Sequence, residues 1–269
     1  MSVREGAPEA LPRRERLPGG DEHAGAVFRL GDRVERPAGP HAGSVHALLR
    51  ALRADGFDGA PLPLARDART ETLLYVPGEV PLPPLPRWAA GEQALRSVAA
   101  LLRRLHGAQR RFDPEGLSWS CELADPRGGE LICHNDVCPQ NVVFRDGRAF
   151  ALLDFDFAAP GRAVYDLAMT AKLWLALGLP GDRTRGGVEP ERGLRVLAEG
   201  YGLAPAERPR LVAALGDAIA VGDAFVTRRV ERGEPAYVAM WAAGGRDRIA
   251  RRQEWFAREA DRLADQLDD

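Results

Sequence analysis

Apolar positions along this chain follow two different periods, and the change from one to the other divides it. In the first part they alternate in short runs. Ala26–Leu30 and Arg33–Arg36, either side of the turn Gly31-Asp32, read as a hairpin, and Ala60–Leu64 and Thr72–Val76 read as further strands of a small antiparallel sheet. Between these, Val45, Leu48, Leu49 and Leu52 recur at helical spacing. With Ser44 as N-cap and Asp55-Gly56 as the stop, they predict a helix over 44–54. Pro77-Gly78 ends the last strand, and a proline-rich, stiff crossing over 81–86 follows. Beyond it the period becomes helical: Leu95, Val98, Ala99, Leu102 and Leu105 predict a helix from Gly91 to His106. An irregular link over 111–130 precedes the centre of the chain. Helices are then expected from Asp166 to about Leu177, over 190–201, 205–232 and 236–269. The pattern predicts an α+β chain: a loose tail over 1–17, a small sheet part over 18–78 and a mainly helical part over 79–269.

The segment between the helices breaks this pattern and carries the chemistry. Leu131-Ile132-Cys133 is a short apolar run. A polar turn follows, with His134, Asp136 and Asn141 grouped around Pro139. Val142–Phe144 and Ala149–Leu153 then flank Asp146-Gly147, a strong signal for a tight hairpin whose second strand delivers Asp154 at its exit. Such a hairpin brings Asp136, Asn141 and Asp154 together. Asn141 and Asp154 supply hard oxygen donors of the kind Mg²⁺ takes beside nucleotide phosphates. The carboxylate of Asp136 can orient an attacking hydroxyl and accept its proton. An Asp followed five positions later by Asn is commonplace; its combination with the hairpin and the exit carboxylate is not.

His-x-Asp-x-x-x-x-Asn followed by an apolar strand ending in Asp resembles the catalytic loop and metal turn of the kinase-like superfamily. The continuation Asp154-Phe-Asp156-Phe-Ala-Ala-Pro-Gly161 with Asp166-Leu-Ala resembles its aminoglycoside phosphotransferase and choline kinase branch, with Asp156 as the second carboxylate. The resemblance implies a two-lobed protein-kinase-like fold: a small antiparallel sheet lobe with one helix, and a larger, mainly helical lobe. It implies ATP and Mg²⁺ as cofactors, with Asn141, Asp154 and Asp156 on the metal. Asp136 would be the base, and His134 would hold the catalytic loop in shape. It also implies that Gly19 and Gly20 lie in a loop over the phosphates, that the backbone of Tyr75, Val76 and Pro77 meets adenine, and that Asp166 braces the loop. The chain departs from the family where a strand lysine and a helix glutamate belong. Arg36 stands near the first position and His46 near the second; Arg36 is the expected phosphate cation, with Arg29 as its rival.

Composition narrows the partners. A formal net charge of −2 gives no support for nucleic-acid binding, and 45% hydrophobic residues with 28% charged are ordinary for a globular chain. No apolar run is long enough to span a membrane, and the charged, proline-containing start lacks a signal-peptide core, so a cytoplasmic location is expected. The three cysteines, Cys121, Cys133 and Cys138, have no zinc spacing. The expected activity is transfer of the γ-phosphate of ATP to a hydroxyl of a small molecule, aminoglycoside-like or amino-alcohol. The alternative is a catalytically silent nucleotide- or metabolite-binding protein on the same fold, which the missing lysine favours. Asp217, Asp223 and Glu231 are candidate contacts for a cationic acceptor, and Trp174, Tyr237, Trp241, Trp255 and Phe256 are candidates for an aromatic cage.

Overall fold

The computed structural model describes residues 14–17, 26–182 and 187–268. Gly19 and Gly20 lie outside the described residues. The chain divides into two compact units, residues 1–39 with 63–75, and residues 40–62 with 76–269.

The first unit is a five-stranded antiparallel sheet in the order β1-β2-β3-β5-β4. Its strands are β1 (Arg14–Arg16), β2 (Phe28–Leu30), β3 (Arg33–Pro37), β4 (Pro63–Arg66) and β5 (Thr70–Leu74). β1 lies in the stretch expected to be tail; backbone pairing with β2, Arg14 opposite Leu30, overrides its polar sequence. β4 starts later than expected because Pro61 and Pro63 cannot donate to a ladder from the middle of a strand. In β3 and β5 the inward positions alternate as expected, but one inward pair is charged: Arg36 sits directly opposite Glu71.

In the second unit, α1 (Ala42–Ala54) buries Val45, Leu48, Leu49 and Leu52, and α2 (Glu92–Gly107) buries Val98, Leu102 and Leu105. Both faces belong to one continuous core. α1 starts before Ser44. Ser44 is therefore inside the helix, where its hydroxyl accepts the Ser118 N–H at 3.0 Å instead of capping. The central segment folds as β6 (Leu131–Cys133), a 3₁₀ turn at Pro139–Asn141, β7 (Val142–Arg145), β8 (Arg148–Leu152) and β9 (Ala159–Gly161). β7 and β8 form the expected hairpin, closed by Asp146 (φ 50°) and Gly147 (φ 70°), both in the left-handed region that a two-residue hairpin turn requires. β6 pairs with β9, and Gln109 clamps Ile132 through both its N–H and its carbonyl, at 2.8 and 2.9 Å. Gly161 of β9 has no room for a side chain, since a Cβ there would lie 2.9 Å from Cys133 Sγ.

The helical remainder is α3 (Ala163–Trp174), α4 (Pro190–Tyr201), α5 (Pro209–Glu231), α6 (Pro235–Met240) and α7 (Arg246–Asp268). α3 begins three residues before Asp166 and ends at Trp174, where Leu175 turns extended. α6 and α7 are separated by a break at Gly244 (φ 86°), within what the sequence pattern reads as one long helix. Among the described residues no helix is long and apolar enough to cross a membrane.

Candidate active site

The catalytic loop is shaped by one buried carboxylate. Asp166, on the first turn of α3 and fully buried, accepts the His134 N–H on Oδ2 at 2.7 Å and the Asn135 N–H on Oδ1 at 2.8 Å. His106 Nε2, at the end of α2, meets the same Oδ2 at 3.0 Å, and its Nδ1 lies 2.8 Å from the Tyr201 hydroxyl of α4. Burial opposes ionisation of Asp166, but the bond and charge of His106, with His134 behind them, outweigh it and hold the carboxyl below its usual range. Burial, with Asp166 nearby, pushes the Tyr201 phenol up to about 12. The expected bracing role of Asp166 is therefore visible in the geometry. His106, read from sequence as a packed helix end, is part of the same network.

His134 joins the loop to the metal turn. Its Nδ1 accepts the Asp136 N–H at 3.2 Å, so Nε2 carries the proton and donates to the Leu153 carbonyl at 2.9 Å. Burial drives its pKa below the ordinary value, and the ring is neutral. Both ring nitrogens of His134 are thus engaged with the backbone of the loop and of the metal turn. Leu153 is gripped from the other side as well, its N–H donating to the Asn141 carbonyl at 2.8 Å. The next residue is Asp154, whose φ of 61° is a left-handed conformation that costs a non-glycine residue about 1 kcal/mol. Two hydrogen bonds to one leucine thus set where Asp154 emerges, beside Asn141. Asn135 is likewise left-handed, at φ 64°, and its Nδ2 donates to the Phe157 carbonyl at 3.0 Å.

Asn141 Nδ2 donates to both the carbonyl and Oδ2 of Asp136, at 3.0 and 2.8 Å. Asp136 is half-buried, as are Asp154 and Asp156. Since the Asn141 amide nitrogen is committed to Asp136, its amide oxygen is the atom that can turn to a cation. Asn141, Asp154 and Asp156 make an all-oxygen donor set, which suits Mg²⁺ and the few protein ligands it takes. Among the described residues no group of three or more His, Cys, Asp or Glu is placed to hold a metal. Trp174 supports the loop from below, its Nε1–H donating to the Val137 carbonyl at 2.7 Å, so it is a buried strut and not part of an aromatic cage. Cys138 lies within the loop, where burial and the charges of Asp136 and Asp154 push its thiol well above its ordinary pKa.

Other expected residues are placed differently from the sequence reading. Arg36 has an anionic partner: its Nε meets Glu71 Oε1 at 2.6 Å, with side chains only 9% and 1% exposed. The signal for Glu71 was a charge in phase with Leu73 on an inward-facing strand. Arg29 stacks 3.9 Å over the Tyr75 ring and bonds the Gly31 carbonyl at 2.8 Å. At the end of β5, the Tyr75 N–H donates to the Asp32 carbonyl at 2.7 Å, and the Pro77 carbonyl accepts from Arg145 at 2.8 Å. Glu79 pairs both its N–H and its carbonyl with Phe144, so the segment after Pro77 is laid along β7. Of the α5 carboxylates expected to meet an acceptor, Asp217 is paired with Arg162 and Arg127 at 3.1 and 2.9 Å and Asp223 with Arg252, while Glu231 stands exposed at the end of the helix.

Residues 118–199, which span the loop, the metal turn and α3, match the Phosphotransferase enzyme family. The chain is 34% identical over 233 residues to the trifolitoxin immunity protein of Rhizobium leguminosarum bv. trifolii, covering 80% of this chain and 87% of that one. Among solved structures, a choline/ethanolamine kinase family protein from Mesorhizobium loti superposes with a TM-score of 0.64 at 18% identity, covering 95% of this chain and 92% of that one. Choline kinase from Cryptosporidium parvum superposes with a TM-score of 0.63 at 12% identity, covering 96% and 92%. The fold is the two-lobed kinase-like one expected, with a small N-terminal antiparallel sheet lobe, one helix (α1) inserted in sequence between its strands β3 and β4, and a larger helical C-terminal lobe.

Proposed function

Because this chain belongs to the aminoglycoside phosphotransferase and choline kinase superfamily, we propose that it transfers the γ-phosphate of ATP to a hydroxyl group of a small molecule. The observation that carries this reading is the Asp136–Asn141 bond at 2.8 Å, set beside Asp154 by the two hydrogen bonds to Leu153. Asn141 fixes one oxygen of Asp136. The carboxylate is thereby aimed to orient the acceptor hydroxyl and take its proton. Asn141, Asp154 and Asp156 would hold Mg²⁺. Magnesium-bound ATP, when present, supplies the phosphoryl group and the screening of its charge. Asp166, His106 and His134 keep the loop in this shape and touch neither substrate. For adenine, the commitments of Tyr75 and Pro77 point to the Tyr75 carbonyl and the Val76 backbone. Arg36, paired with Glu71, is assigned to the nucleotide's α- and β-phosphates, and Gly19 and Gly20, outside the described residues, are kept as candidates for the same phosphates. A cytoplasmic site of action fits a need for ATP.

A second reading, binding without transfer, has two observations in its favour. The relative at 34% identity is named as an immunity protein, and this sequence relationship backs binding better than it backs transfer. The Arg36 charge is also already matched by Glu71. The two readings separate in one experiment, a screen of amino sugars, amino alcohols and nucleosides for stimulated ADP release with Mg-ATP. Under transfer, Asp136→Asn cuts turnover by about 10²–10⁴-fold and leaves ATP affinity unchanged. Ligand binding by calorimetry without any stimulated ADP release would establish the second reading in its place.

A further inference from the structure

Three consecutive residues of the catalytic loop reach three different points of the site. His134 donates to the carbonyl of Leu153, the residue before Asp154-Phe155-Asp156, and its ring lies 4.4 Å from that of Phe155. Asn135 donates from Nδ2 to the carbonyl of Phe157, the residue after those three, at 3.0 Å. Asp136, the proposed base, comes next. The segment carrying both metal carboxylates is thus held at its two ends by neighbouring side chains. Between the ends it is closed by the Ala158 N–H on the Phe155 carbonyl at 3.0 Å.

Asn135 holds its end at a cost. Its side chain is fully buried, yet Oδ1 finds no hydrogen-bond partner among the described residues, and a buried acceptor left unmet is unfavourable. Its backbone is left-handed, which asparagine tolerates but glycine adopts freely. Turning the amide over gives no relief, since it would set Oδ1 against the Phe157 carbonyl. The backbone N–H is fixed on Asp166 Oδ1 at 2.8 Å, so the side chain reaches Phe157 from a rigid base. Glycine could take this backbone with neither cost. What it lacks is the N–H for Phe157.

We infer that Asn135 is a positioning residue for the metal turn. By holding the Phe157 carbonyl it sets where Asp156 stands, as His134 sets Asp154 from the other end, and both are thereby placed relative to Asp136. Asn135 itself touches neither nucleotide nor acceptor. This role rests on the metal assignment made above, and it is the same whether the bound nucleotide is used for transfer or only held.

Mn²⁺ serves as the probe on the full chain, being paramagnetic and taking the same oxygen donors as Mg²⁺. Electron paramagnetic resonance reads Mn²⁺ retention in the presence of ATP, calorimetry reads ATP affinity without metal, and urea unfolding reads the fold. In Asn135→Gly, Mn²⁺ retention weakens by about 10–100-fold, the scale for removing a group that orients a metal ligand. ATP affinity without metal is unchanged. The urea midpoint stays close to wild type, because relief of the unmet Oδ1 and of the left-handed backbone offsets the lost bond. Asn135→Asp keeps the volume and the backbone and sets an oxygen against the Phe157 carbonyl. Its added charge alone would tighten Mn²⁺, so weaker retention here reads position and not charge. Should Asn135→Gly fail to fold, Asn135→Asp carries the comparison. A lowered urea midpoint with Mn²⁺ retention intact in the folded protein assigns Asn135 to the fold alone and overturns the inference. So does unchanged retention in both variants, or a wild type that retains no Mn²⁺ with ATP. ADP release measured alongside separates this role from transfer. Retention by the wild type without ADP release, weakened in Asn135→Gly, removes transfer and leaves the positioning role standing. ADP release equal in wild type and both variants keeps transfer and overturns the positioning role.

Discussion

Replacing Asp166 by asparagine changes one atom in the most heavily used side chain of the site. The carboxylate accepts three hydrogen bonds, two on Oδ2 from His134 and His106 and one on Oδ1 from Asn135. The least damaging asparagine keeps its oxygen at the Oδ2 position and points its NH₂ at the Asn135 N–H, donor against donor. One buried N–H left unmet costs about 1–3 kcal/mol, and loss of charge assistance in the other two bonds adds about 1 kcal/mol each. Relief from burying an ionised group returns part of this, which leaves a net loss of about 2–4 kcal/mol. Urea unfolding followed by circular dichroism measures it, and amide exchange should quicken first at His134 and Asn135. The acid limb supplies a sign check. The folded pKa of Asp166 lies below its unfolded value, so its stabilisation is present above about pH 4 and is lost as pH falls through the folded value. The gap between wild type and Asp166→Asn should therefore close at low pH. A loss below about 0.5 kcal/mol at pH 7, within the range of ordinary surface substitutions, would refute the account.

Three further outcomes follow from the same geometry. His134 is buried neutral with a depressed pKa, so its contribution is complete above about pH 6.5 and falls as the pH drops, by up to about 1.4 kcal/mol per pH unit; His134→Gln should flatten stability between pH 6.5 and 5, and an unchanged slope would remove this assignment. Arg36→Met takes its cation away from Glu71, which is 1% exposed, and should cost up to about 3–5 kcal/mol in thermal unfolding, while Arg36→Met with Glu71→Leu recovers most of it; a double variant as unstable as the single one would contradict a buried pair. In native iodoacetamide labelling at pH 8, exposed Cys121 should react first, half-buried Cys138, whose thiol is pushed above its ordinary pKa, more slowly, and buried Cys133 only on unfolding; early mass gain at Cys133 would argue against that burial.

What could be read from the chain alone was whatever depends on neighbours in sequence. The Asp146-Gly147 hairpin is a local requirement for two left-handed residues, and it appeared where the sequence placed it. The helix from Pro190 to Tyr201 has an apolar stripe and a proline at its first turn, and it too matches. The order His134, Asp136, Asn141, Asp154 was legible because a loop and a hairpin bring these residues together within twenty-one positions of chain. The tertiary structure decided the partners. Glu71 stands thirty-five residues from Arg36, and cross-strand register alone makes them a pair. His106 and Asp166 are sixty residues apart and meet because α2 and α3 pack on one core. The acidic residues Asp217 and Asp223 look available in sequence, yet folding delivers arginines from Arg127, Arg162 and Arg252 to them. Periodicity states which face of an element is buried. It does not state which charge lies opposite, because that depends on how remote elements are brought together, and a buried charge stays ionised only where such a partner arrives.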